Sequence, residues 1–114
     1  MTERADSCVF CRIVRGELPA AVVNRTDGLL AIEDIDPKAP VHVLVIPERH
    51  VETFREVGSL PPEESKRLLE FAADTARQVG LEDYRVVVNV GPGAGQTVYH
   101  LHWHLLGGRE LPFP

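Results

Sequence analysis

Tyr99-His-Leu-His-Trp-His-Leu105 alternates apolar and imidazole side chains without a break. A period of two is that of a β-strand, so a strand over residues 97–106 projects His100, His102 and His104 from one face. Tyr99, Leu101, Trp103 and Leu105 then point the other way, into a core. A row of three imidazoles on one face costs folding energy unless the rings have work to do. Metal binding, acid–base chemistry and nucleophilic catalysis are the kinds of work that histidines cluster for. Same-face neighbours on a strand stand about 6.5–7 Å apart. One phosphate-sized group therefore spans two adjacent imidazoles, whereas a single metal held by all three is geometrically harder.

Gly91-Pro-Gly-Ala-Gly95 is a tight loop, and Arg85-Val-Val-Val-Asn-Val90 before it is a strand. Together with 97–106 they form an expected hairpin whose loop lies beside the histidines. Small residues there also let a backbone approach a ligand closely. Residues 61–79 read as a long helix. Ser59 is its expected N-cap, prolines 61 and 62 suit the first turn, and Glu63 and Glu64 complement its positive end. Leu68, Leu69, Ala72, Ala76 and Val79 form an apolar stripe at helical spacing, and Gly80 closes the helix. Residues 21–25 and 29–33 are strands joined through Thr26-Asp27-Gly28. Val41–Ile46 is a further strand, stopped by Pro47, and a short helical segment is expected after His50. Residues 8–16 are a short helix ended by Gly16. The layer argument makes this an α+β fold: a five-stranded antiparallel sheet crossed by one long helix, with a short N-terminal helix.

The 114-residue length fits one domain, 1–114, and 44% hydrophobic content is enough for a real core. A net charge of −5 offers no general grip on nucleic acid. No run approaches the about 20 apolar residues of a membrane helix. Met1–Ser7 is polar, without the apolar region of a signal peptide, so a cytoplasmic location is expected. In a reducing compartment, Cys8-x-x-Cys11 points to a metal or a redox pair rather than a structural disulfide. A redox pair usually follows a strand, and none is evident before Cys8. Zinc wants four ligands, and His50 with His100 would complete a Cys2His2 set if the fold brings them together. Asp34, opening the loop Asp34–Pro40, reads alone as a turn or cap residue. His42, alternating with Val41 and Val43, reads alone as an edge or core histidine bonded to backbone.

His100-Leu-His102-Trp-His104-Leu-Leu106 resembles the signature of the histidine triad (HIT) superfamily. The likeness runs over residues 8–109, through Phe10–Ala20, Asp34-Ile35, Ala39-Pro40, Leu44-Val-Ile-Pro47, His50, Asn89, Gly95–His100 and Leu106-Gly-Gly-Arg109. It is strongest toward the nucleoside phosphoramidase branch. The resemblance implies hydrolysis of a nucleoside 5′-phosphoramidate through a covalent nucleotidyl-histidine, with release of a nucleoside monophosphate. His102 would be the nucleophile. His104 would donate to phosphate oxygens, Thr97 would place a hydroxyl near the leaving group, and His42 and His100 would support the pair. Nucleotide contacts would come from Ile32, Asp34, Ile35, Asn89, Gly95, Gln96, Thr97, His102 and His104. Asp34 would accept the ribose hydroxyls, and Ile32 and Ile35 would lie against a purine. The resemblance also implies a structural zinc at Cys8, Cys11, His50 and His100, and a homodimer that extends the sheet. Relatives often carry a tryptophan in the C-terminal tail, where this chain has Phe113. Two other readings share these residues: a dinucleoside polyphosphate hydrolase, and a nucleotide-binding adaptor with little turnover.

Overall fold

The computed structural model describes residues 7–112. Helix α1 spans Val9–Val14, and Gly16 behind it takes the positive φ of 79° that leaves the helix. Strands β1 (Val22–Thr26) and β2 (Leu29–Glu33) form the expected hairpin, and β3 covers Val41–Pro47. A 3-10 turn at Phe54–Ser59 leads to α2, Pro62–Gln78. Strands β4 (Tyr84–Val87) and β5 (Trp103–Gly107) complete one five-stranded sheet, in the order β1-β2-β3-β5-β4, with every pairing antiparallel. This is the α+β fold that the hydrophobic patterning implies. No helix among the described residues is long and apolar enough to cross a membrane.

Alternation along the strands divides the sheet into two faces. Leu29, Ala31, Val43, Val45, Trp103 and Leu105 look toward α2 and form the larger core with Leu68, Phe71, Ala72 and Ala76. Leu30, Ile32, Leu44 and Ile46 look the other way and are covered by α1 through Phe10 and its flanking cysteines. Histidines 42 and 104 belong to this second face, because His42 pairs in register with Leu106, and His104 with Leu44.

Four details differ from the reading of the sequence. The last strand starts at Trp103, not at residue 97, and β4 stops at Val87, not at residue 90. Residues 88–102 run as an irregular crossing that holds only a 3-10 turn at Pro92–Ala94. Gly91 and Gly95 within it take φ of 84° and 93°. Ser59 does not cap α2: its hydroxyl donates to Glu56 O, and Pro61 is the residue at the cap position. Leu69 is 60% exposed, and Phe71 and Thr75 fill the buried stripe beside Leu68 instead.

Gly107 ends β5 where nothing larger fits. A Cβ there would meet Leu81 Cδ2 at 2.8 Å and the Asp83 carbonyl at 3.0 Å. The leucine tip can shift, but the backbone carbonyl cannot. Gly107→Ala is expected to destabilise by about 1–3 kcal/mol through overpacking. The corresponding fall in Tm is about 5–15 °C for a domain of this size. A melting point within 2 °C of the parent (about the error of such a scan) would overturn that reading.

Candidate active site

A chain of hydrogen bonds fixes which nitrogen of each histidine carries a proton. The Lys38 backbone N–H donates to His42 Nδ1 at 3.0 Å, so the His42 proton sits on Nε2. That Nε2 lies 2.8 Å from His104 Nδ1 and 3.3 Å from Asp34 Oδ2. His104 Nδ1 therefore accepts, and neutral His104 keeps its own proton on Nε2. A carbonyl oxygen can only accept, so His102 Nδ1, 2.7 Å from His100 O, is the donor in that bond. His102 Nε2 is left with an available lone pair. The two rings stand 5.1 Å apart, one carrying the lone pair and the other a proton to give.

Burial favours neutral rings. It lowers the His102 pKa below the usual histidine value, although the bond to His100 O and the charge of Asp34 oppose it. For His104, burial, with His102 and His42 adding to it, lowers the pKa to about 4 against the pull of Asp34. His42 moves in the same direction, mainly by burial, with Asp34 opposing. A neutral imidazole is the nucleophilic form, so the site is ready near neutral pH. The same shift affects stability. The unfolded chain protonates position 104 from its ordinary 6.5, whereas the folded chain resists until about 4. The contribution of His104 is thus complete above pH 6.5, drains as pH falls toward 4 and is flat below it. Melting curves from pH 7 to 4 should show a shallower decline for His104→Gln than for the parent, and parallel slopes would refute the assignment.

Two clefts meet at these rings. One, of about 300 Å³, is lined by Phe10, Ile13, Ile32, Leu44 and Val98 with Asp34, Thr97, His102 and His104 at its polar end. The second, of about 470 Å³, holds Asn89 and Gly95 with Asp36 and Lys38, and shares Asp34, Thr97 and His104 with the first. An apolar slot ending in a carboxylate and two imidazoles suits a flat base, a diol and a phosphate in that order. Ile32 is buried in the slot wall, whereas Ile35 stands fully exposed at its rim.

His100 lies on the same side of the chain as the other two, beside the same Phe10 ring as His102, but its side chain enters a different site. It precedes the regular strand, is completely buried, and donates from Nε2 to Pro47 O at 2.7 Å. Its Nδ1 turns to Cys8 Sγ at 3.2 Å, Cys11 Sγ at 3.4 Å and His50 Nδ1 at 3.3 Å, and Cys11 Sγ is 3.2 Å from His50 Nδ1. All four ligand atoms lie within 4.8 Å of one another. A tetrahedral zinc with bonds of about 2.0–2.3 Å has ligand–ligand edges of about 3.3–3.8 Å, close to these separations. No disulfide joins the two cysteines, and buried His50 Nε2 has no hydrogen-bond partner among the described residues, so the cage is what accounts for the position of that ring. The donor set fits zinc.

Gln96 has a different job from the one expected. Its Oε1 accepts from Gly91 N, and its Nε2 donates to Glu52 O and Val98 O, so the side chain shapes the loop instead of facing a ligand. Two contributors were missed. Phe10 sets its ring edge-on to His102 at 5.0 Å, and the Lys38 amide sets the His42 tautomer. The Cys-Val-Phe-Cys spacing held a signal for Phe10, but a backbone amide leaves none in a sequence. Phe113 and residues 1–6 lie outside the described residues.

Compared with known protein families, residues 15–111 match the HIT domain. The chain belongs to the HIT family. The purine nucleoside phosphoramidase of Escherichia coli K12 is 38% identical over 109 residues, which is 94% of this chain and 92% of that one. A maize 14 kDa zinc-binding protein is 41% identical over 120 residues, covering 93% and 85% of the two chains. Among solved structures, a HIT family hydrolase from Legionella pneumophila superposes with a TM-score of 0.88 at 45% identity, over 94% and 97% of the two chains. The HIT likeness therefore extends over nearly the whole chain in both sequence and fold.

Proposed function

We propose that this protein is a nucleoside 5′-phosphoramidate hydrolase that works through a covalent nucleotidyl-histidine. The observation that carries the reading is the tautomer of His102: its Nδ1 is tied to His100 O, and its Nε2 lone pair is available beside the cleft that holds Asp34 and His104. His102 Nε2 attacks the α-phosphorus, a P–N(imidazole) bond forms, and the P–N bond to the amine breaks. The leaving nitrogen takes a proton from solvent, with the Thr97 hydroxyl near it, and departs as the amine; the attacking water of the next step returns a proton to solvent. Water then attacks the same phosphorus, the bond to Nε2 breaks, and a nucleoside monophosphate and neutral His102 are released. His104 Nε2–H donates to the phosphate oxygens as negative charge builds on them. Asp34 accepts the ribose hydroxyls, Ile32 and Ile35 flank the purine, and Asn89, Gly95 and Thr97 line the phosphate side. The E. coli relative named a purine nucleoside phosphoramidase supports this substrate class.

Cys8, Cys11, His50 and His100 would hold a zinc ion with four protein ligands, which would leave no open position and would make its contribution rigidity. A second copy of the chain would pair along β4, which among the described residues has only β5 as a neighbour and exposes Val86 at 49%. Sedimentation equilibrium giving twice the chain mass is the expected outcome, and a monomer at tens of micromolar would reject pairing.

Rapid-quench mass spectrometry of the intact protein with adenosine 5′-phosphoramidate tests the chemistry. The expected result is an adenylyl adduct mapping to His102, with ammonia released at the same rate. Tight binding of AMP with neither adduct nor ammonia would replace the enzyme with a binding module.

A further inference from the structure

Three contacts join the Cys/His cage to the ring of His102. The main-chain carbonyl of His100, whose side chain is a cage ligand, accepts the His102 Nδ1–H at 2.7 Å. Phe10, between the two cysteine ligands, packs edge-on against His102 at 5.0 Å and 90°, and against His100 at 6.0 Å and 69°. The Leu101 amide donates to Val51 O at 2.6 Å, which ties the segment carrying the nucleophile to the residue after His50. These contacts matter because of where the regular sheet ends. The β5 ladder begins at Trp103, so His102 stands one residue outside it. The sheet holds the backbone of His104, but not that of His102.

We propose that the cage positions the nucleophile: an ion at Cys8, Cys11, His50 and His100 holds His102 in the Nδ1–H tautomer and in its attacking orientation, through His100 and Phe10. Phe10 and His100 are positioning residues here, not groups that touch the reacting atoms. The inference rests on the covalent role proposed for His102 but extends it, because a metal with no open coordination position then controls turnover. With the ion removed, the two sulfurs and two nitrogens lose their common centre, α1 loosens, and the ring of His102 loses two of its neighbours at once.

The test compares the zinc-loaded full chain with the same protein stripped by a chelator and then reloaded with zinc alone. Long-range 1H–15N spectra of the histidine rings at one fixed pH read the tautomer directly. The expected result is a single Nδ1–H tautomer for His102 when loaded, a mixture or exchange broadening when stripped, and recovery on reloading. Turnover of adenosine phosphoramidate should fall by about tenfold or more in kcat, with KM changed less than about twofold. Phe10→Leu keeps all four ligands and covers the case in which the stripped chain unfolds. It should bind one zinc as the parent does, yet broaden the His102 signals and lower kcat several-fold. Identical His102 spectra in the loaded, stripped and Phe10→Leu proteins would overturn the proposal. If the loaded parent forms no adduct, the hydrolase reading fails, while the spectra still decide whether the cage sets the His102 ring.

Discussion

His102→Ala is expected to lower kcat on adenosine 5′-phosphoramidate by on the order of 10³-fold or more, because in the proposed mechanism His102 is the side chain that forms the covalent intermediate. His104 cannot substitute, since its Nδ1 lone pair is occupied by His42 and its Nε2 carries the proton. The fold should survive. His102 is only part-buried, and among the described residues its one side-chain hydrogen bond is to the carbonyl of His100, two residues back. A two-state melt alongside the rate measurement separates lost chemistry from lost structure. Turnover within tenfold of the parent, in a protein that melts normally, would remove His102 from the nucleophile's place. The tautomer argument would then have to apply to some other ring.

The second large effect is on stability. His100→Ala removes a completely buried ring and leaves the Pro47 carbonyl, now paired at 2.7 Å, with no donor. A vacated ring volume and an unpaired buried carbonyl together are worth about 3–5 kcal/mol in the metal-free protein. Loaded protein should lose more, because three ligands hold an ion less tightly than four and binding energy at such a site is folding energy. Urea unfolding in the presence of chelator measures the first quantity, and the zinc-dependent rise in midpoint measures the second. A chelated variant within 1 kcal/mol of the parent would mean that the site collapses around the smaller residue, and that His100 matters only as a ligand. Leu69→Ala is the contrasting control: that side chain is 60% exposed on α2, and its removal should change stability by about 0.5 kcal/mol or less.

Most of the sheet and its long helix can be read directly from the chain. The strands at 22–26, 29–33 and 41–47 follow their alternation and turn glycines to within a residue or so. Helix α2 follows its apolar spacing, and Gly80 closes it with a φ of 83°. The error at residues 97–102 has a clear cause. Alternation of side chains predicts a strand only where a partner strand supplies the ladder, and β4 ends at Val87, opposite His104. An extended chain without a partner keeps the side-chain alternation and loses the regular hydrogen bonds. Leu69 was misplaced for a similar reason. A stripe at helical spacing fixes the buried arc of a helix only roughly, and the crossing of α2 over the sheet chose Phe71 and Thr75.

By itself, the sequence determined the fold class, through periodicity and turn residues, and the family, through the resemblance of its histidine motif; it also offered the four side chains able to hold a metal. Periodicity, motif and residue type are local properties of a chain. Only the tertiary structure decided that the His100 ring joins Cys8, Cys11 and His50. It also decided that the Lys38 amide and the His100 carbonyl set the protons of the site, and that Gln96 serves its loop. The physical reason is common to all three. Which way a ring turns, and which of its nitrogens carries a proton, depends on backbone donors and acceptors that every residue carries alike, so no residue type reveals them until the fold sets those groups in place.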